Sequence, residues 1–235
     1  MKLFRKARFF WVYPLAIGLF ATASTSEPSL RIGIVIVFLG EALRLWANGY
    51  VGHVKVNSTH PRRNEPKIGR LITAGPYAYV RHPLYVGTFL IGAGFCVAVR
   101  NIPLLLLALA FFLLVYREKA TREEQLIAGE WGGEYAAYQH AVPRWVPTVR
   151  RYAPRRGQWD WRGIWASKEL KTLAWVIVAL LGLYFWEEWF RERELFVGKA
   201  WLKHTLLVAL CLILIASDGA VELVNWWRRK RATTT

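Results

Sequence analysis

Arg81-His82-Pro83 and Glu123-Glu124 are the polar groups of this 235-residue chain whose types and setting could do chemistry. Each stands beside a long apolar run: 84–99 follows the first group, and 102–116 precedes the second. A cation, an imidazole and a helix-starting proline at one helix mouth can hold a carboxylate. Two adjacent carboxylates at the end of the next helix can hold an ammonium. A zwitterionic amino-acid moiety is the simplest ligand matching both. The plainer alternative is that the glutamates make salt bridges with nearby Arg and Lys, while His82 satisfies a backbone carbonyl.

The two apolar runs bring these groups together. Only Arg100-Asn101 separates them, so they form a tight helical hairpin. His82 lies 19 residues before Asn101 and Glu123 lies 22 after it. At about 1.5 Å per helical residue, both sit roughly 30 Å from the turn, at similar depth on neighbouring helices.

Further apolar runs at 9–23, 30–51, 170–190 and 200–217 make about six in all. With flanking Trp, Tyr and Arg extending the shorter ones, each can cross roughly 30 Å of hydrocarbon. The expected fold class is therefore an all-α integral membrane protein of about six transmembrane helices, with a cytoplasmic cap over the site. Hydrophobic residues are 54% of the chain, which excludes disorder, and six such runs leave too little amphipathic surface for a soluble fold. The expected organisation is 1–51 as amino-terminal spans and 52–150 as the core with the site. Residues 151–235 follow as an interfacial segment plus two spans.

Cations set the orientation. With the amino terminus cytoplasmic, that side collects 25 of 32 Lys and Arg, and the other side receives Arg31, Arg100, Arg191, Arg193 and Lys199. This is the positive-inside bias, and it puts both termini in the cytoplasm. The net charge of +16 is thus membrane-flanking, which points to anionic lipid headgroups and not to nucleic acid. Trp159, Trp161 and Trp165, alternating with Arg162 and Lys168, suit a segment in the headgroup layer.

Segments 52–83 and 117–169 are too long for turns. The first is rich in Pro and Gly; the second starts as a charged helical continuation and is expected to break at Gly129, Gly132 and Gly133. Cys96 and Cys211 lie in apolar runs as small hydrophobes, with no disulfide framework and no metal-ligand spacing. No Rossmann or P-loop glycine pattern occurs.

Gly75-Pro76-Tyr77-Ala78-Tyr79-Val80-Arg81-His82-Pro83-Leu84-Tyr85-Val86-Gly87 resembles the GPYxxVRHPxYxG signature of isoprenylcysteine carboxyl methyltransferases and related phospholipid methyltransferases. Glu123-Glu124, Gly132-Gly133-Glu134-Tyr135, Tyr138 and Val142-Pro143-Arg144 look like that family's second block. The resemblance covers roughly residues 30–147. It implies an integral membrane enzyme that uses S-adenosylmethionine and methylates a lipophilic acceptor, either a prenylcysteine-type carboxylate or a lipid headgroup. Carried over by position, Leu71, Ile72 and Tyr77 would line the cofactor pocket. Arg81, His82, Pro83 and Leu84 would contact the cofactor's carboxylate and backbone, with Tyr85 beside them. Glu123 and Glu124 would take its amino end. Arg144 would face the acceptor with Lys119 or Arg117, and Arg144, His82 and Glu123 are the expected catalytic residues. Tyr79 and Tyr138 fit packing and ligand roles equally and are not assigned.

The chain departs from the family in its two spans after the Val142-Pro143-Arg144 element. Glu187, Glu188, Lys203, His204, Asp218 and Glu222 lie in or near them, either functional or at wet helix ends. Two rival readings remain: a sterol-reductase-type NADPH enzyme and a non-catalytic membrane relative. The first usually carries Asn and Gly-Glu after the proline, where this chain has Leu84-Tyr85-Val86-Gly87-Thr88.

Overall fold

The computed structural model describes residues 25–51, 71–166, 169–187, 205–213 and 215–216. Among the described residues the chain is all helical apart from its loops. The helices are α1 (Glu27–Val51), α2 (Pro83–Ala98), α3 (Ile102–Ala141), α4 (Trp161–Ala166) and α5 (Glu169–Glu187), with a short 3-10 turn over Gly75–Ala78. The expected first span, 9–23, and the loop 52–70 lie outside the described residues, as do Glu188, Lys203, His204, Asp218 and Glu222.

Local chemistry explains where the helices start. Ser26 and Ser29 exchange hydrogen bonds at the entry of α1, a reciprocal cap that satisfies two otherwise orphaned donors. Ser29 also donates to the Ala98 carbonyl at 3.1 Å, tying the start of α1 to the end of α2. Pro83 begins α2 directly after His82. The expected hairpin is present: α2 ends at Ala98, Arg100 takes φ 55°, and Asn101 caps α3 by accepting from the Leu104 amide at 2.8 Å.

Helices α1 and α2 touch backbone to backbone. A Cβ on Gly33 would stand 2.5 Å from the Gly94 carbonyl oxygen, and one on Gly40 would stand 2.7 Å from that of Gly87. Glycine at these four positions is what lets two apolar helices approach so closely.

Of the three glycines at which a break is expected in α3, only Gly132 departs from helical dihedrals. The chain stays helical through Gly129, and the reversal comes only at Gly132, with φ 47° and ψ −125°. Leu126, Ile127 and Ala128 before Gly129, and Glu130 and Trp131 after it, are adequate helix formers, so one glycine does not end the helix. At Gly132 the dihedrals lie where residues with a Cβ are strained, and there the axis turns.

Beyond Val142 the chain folds back along residues 71–81. The Arg81 amide donates to the Pro143 carbonyl at 2.9 Å, the Thr148 amide to Tyr79 at 2.9 Å, and the Tyr152 amide to Ala78 at 3.1 Å. The Thr73 and Ala74 amides both donate to the Arg156 carbonyl. Leu71, Ile127, Tyr135, Tyr138 and Val142 form a small apolar core beneath this layer.

The chain divides into two compact units, 1–169 and 170–235. Within the second, α5 buries Val176, Leu180 and Leu183 along one face. One described helix, over Glu169–Trp186, is long and apolar enough to cross a bilayer, and Pro83–Ala98 is a shorter apolar helix.

Candidate active site

The hairpin delivers His82 and the glutamate pair to one place, as the offset from Asn101 requires. His82 Nε2 stands 2.9 Å from Glu124 Oε1, and its Nδ1 stands 3.9 Å from Glu123 Oε2. All three residues are buried, with Glu123 and Glu124 exposing 3% and 4%.

Glu124 is the hub. Arg81 Nη1 approaches its Oε1 to 2.9 Å. Arg144 grips it at two points, Nε to Oε1 at 3.1 Å and Nη2 to Oε2 at 2.5 Å. Gln139 donates to Oε2 at 3.3 Å, and the remaining fork nitrogen of Arg144 reaches Thr121 Oγ1 at 3.3 Å. Burial alone would raise the Glu124 carboxyl. The hydrogen bonds of His82 and Arg144 and the charge of Arg81 more than offset this and hold it down at about 2.

Glu123 has a different environment. The Tyr85 hydroxyl donates to its Oε1 at 2.5 Å, and Lys119 Nζ lies 4.0 Å from the same oxygen, one helical turn back. The Lys119 ammonium also rests over the Tyr85 ring, 4.6 Å from its centroid. Adjacent glutamates on a helix point about 100° apart. One therefore meets Arg81 and His82, just before α2, and Arg144, while the other meets a tyrosine and a lysine.

The other expected residues are distributed as follows. Tyr77 is half-buried, and its carbonyl accepts the Tyr138 hydroxyl at 2.7 Å, so Tyr138 packs and braces. Leu71 and Ile72 are buried, Leu71 in the apolar core and Ile72 against Gly157. Pro83 is buried and Leu84 half-buried at the start of α2. Arg117 is exposed, two residues before Lys119 on α3.

The simple expectation that His82 satisfies a backbone carbonyl is not what forms, since its Nε2 goes to Glu124. The expectation of Arg salt bridges does hold at Glu124. Not anticipated was the aromatic wall. Tyr85 stacks on His82 at 5.3 Å, Tyr116 lies 4.8 Å from Tyr85, and Trp145 lies 5.5 Å from His82 and 5.7 Å from Phe112. The spacing 112, 116, 119, 123 on one helix face is the signal that could have found it.

Two features suit a zwitterionic group. Arg81 Nε and Nη1 are buried without a hydrogen-bond partner among the described residues, although Nη1 lies within ion-pair distance of Glu124, so Arg81 retains donors for a carboxylate. Glu123 retains acceptor capacity for an ammonium beyond its one tyrosine.

Comparison with known proteins bears out the resemblance. Residues 29–133 match the family described as phospholipid methyltransferase. The chain is 32% identical over 111 residues to a protein-S-isoprenylcysteine O-methyltransferase of Schizosaccharomyces pombe, covering 47% of this chain and 46% of that one. It is 33% identical over 122 residues to protein-S-isoprenylcysteine O-methyltransferase B of Arabidopsis thaliana, covering 51% and 59%. For the Homo sapiens protein-S-isoprenylcysteine O-methyltransferase the identity is 32% over 123 residues, covering 50% and 41%. The chain thus spans about half the length of these curated relatives. No solved structure matches. Both glutamates, His82 and Lys119 fall inside the matched residues, whereas Arg144 and Trp145 lie just beyond them.

Proposed function

We propose that this chain is an integral membrane methyltransferase that uses S-adenosylmethionine to methylate a lipophilic acceptor, a prenylcysteine-type carboxylate or a lipid headgroup. The observation that carries the reading is the buried meeting of Arg81, His82, Glu123 and Glu124, which offers a carboxylate site beside an ammonium site. When bound, S-adenosylmethionine supplies an electrophilic methyl carbon on a sulfonium. Arg81 would hold the carboxylate of its amino-acid end and Glu123 the ammonium, with Tyr77, Leu71 and Ile72 alongside.

Arg144 and Lys119 face the acceptor in this reading. Their cationic groups would orient a carboxylate for in-line attack, and positioning is the largest contribution a protein makes to such a displacement. With a carboxylate acceptor no proton moves, and the wall of Tyr85, Tyr116 and Trp145 serves by keeping water out. With an amine acceptor a proton must leave, and His82 or Glu123 is within the site to take it. The charge asymmetry and the apolar runs support six spans, with both termini and this site on the cytoplasmic side. The acceptor would enter from the bilayer and the donor from the cytoplasm.

The test is transfer of labelled methyl from S-adenosylmethionine by the purified chain in lipid nanodiscs. An S-prenylated cysteine and phosphatidylethanolamine are offered separately. Label in either product supports the reading and names the acceptor class; label in neither, with S-adenosylmethionine shown to bind, contradicts both acceptor classes.

A further inference from the structure

A second buried polar cluster grips a different face of α2. Arg44, in α1, forms a two-point pair with Glu169: Nε to Oε1 at 2.5 Å and Nη2 to Oε2 at 3.1 Å. Asn48, one turn farther along α1, donates to the same carboxylate at 2.9 Å. The remaining nitrogen of the guanidinium, Nη1, reaches the Thr88 hydroxyl and, at 3.4 Å, the Leu84 carbonyl. The Arg44 stem crosses Gly87, where a Cβ would stand 2.5 Å from Arg44 Cγ.

Leu84 and Thr88 belong to the first two turns of α2, which begins at His82-Pro83. Tyr85, in the same turn, holds Glu123. Arg44 thus grips the same first turns of α2 that carry Tyr85 and follow directly on His82. Burial pushes up the pKa of the Tyr77 hydroxyl, with Glu123 adding and Arg44 opposing.

Glu169 lies 36 residues beyond the segment matched to the family, and the chain before it is held at Pro154, Arg156 and Asp160. Thr73 Oγ1 donates to the Pro154 carbonyl at 2.7 Å and accepts from the Arg156 amide at 2.9 Å. The Asp160 amide donates to the Gly49 carbonyl at 2.8 Å, and Trp159 covers Gly49 and stands edge-on to Tyr50. Residues 154–160 form a strap from the 71–74 backbone, beside Leu71 and Ile72, to the end of α1.

We propose that Glu169 is a positioning residue for the methyl-donor site. Its carboxylate fixes Arg44, Arg44 fixes the first turns of α2, and the strap is a working part of the pocket although it lies outside the matched segment. This rests on the donor-binding reading above.

The test is calorimetric titration of the full chain in nanodiscs with S-adenosylhomocysteine, alongside each protein's unfolding temperature. Glu169→Gln weakens binding about tenfold and Glu169→Asp recovers most of the loss. Thr88→Val, which leaves the ion pair whole, weakens binding about threefold with little change in unfolding temperature. If Glu169→Gln does not fold, Thr88→Val decides alone. Wild-type affinity in Thr88→Val and in folded Glu169→Gln overturns the proposal, as does affinity that falls only in step with the unfolding temperature. A wild-type chain that does not bind S-adenosylhomocysteine overturns the donor-binding reading, and this proposal with it.

Discussion

Glu124 and Arg144 stand on opposite sides of the reversal at Gly132, and their side chains meet at two points, 3.1 and 2.5 Å. The reversal closes the site: it returns the chain so that a guanidinium from beyond α3 reaches a carboxylate within it. No Cβ neighbour lies within 4 Å of Gly132, so its glycine requirement is conformational and not steric. Gly132→Ala should cost about 1–3 kcal/mol of stability and weaken donor binding by loosening this contact. Chemical denaturation and titration on the same preparation check both parts.

The two glutamates should separate by stability. Removing Glu124 leaves Arg81, His82 and Arg144 without their shared anion, and Glu124→Ala should cost about 3–5 kcal/mol. Glu123→Gln disturbs a tyrosine hydroxyl and a half-exposed lysine, and should cost about 1–3 kcal/mol while still abolishing donor binding. Unfolding midpoints of the two variants in one detergent compare them directly; equal losses would contradict the hub assignment.

Acid should reveal the same hub. The Glu124 carboxyl titrates at about 2 when folded, below its ordinary 4.5. Its contribution to stability is therefore complete above about pH 4.5 and is lost as the pH falls toward 2. The wild-type unfolding temperature should fall more steeply below pH 4.5 than that of Glu124→Gln. Parallel slopes would contradict it.

Glu41 makes the opposite prediction. It is 1% exposed, and neither carboxyl oxygen has a hydrogen-bond partner among the described residues. Arg44, one turn along α1, is committed to Glu169. Replacing an uncompensated buried carboxyl by an apolar side chain removes a desolvation cost, so Glu41→Leu should raise stability by about 1–4 kcal/mol. A lowered unfolding temperature would mean that Glu41 has a partner of its own.

The hairpin was readable from counting alone, because two rigid helices with a two-residue turn fix the relative depth of His82 and Glu123. Which glutamate gathers the cations was not readable, since neighbouring helical residues differ only in direction and direction depends on what packs against the helix. Of the breaks expected at Gly129, Gly132 and Gly133, the one at Gly132 forms, whereas Gly129 costs only about 1 kcal/mol in a helix and is carried through it. The Arg44–Glu169 pair spans 125 residues, and no local pattern announces a contact between elements that far apart. Trp145 was overlooked beside Arg144, although an aromatic next to a site cation is a natural wall.

The most direct measurement is titration of the wild-type chain with S-adenosylhomocysteine, with NADPH in parallel and His82→Ala and Glu123→Ala as folded controls. Saturable binding of S-adenosylhomocysteine alone is expected, at least about tenfold weaker in both variants. Unchanged affinity in the variants, or binding of NADPH in its place, would contradict a methyl-donor site built on His82 and the glutamate pair.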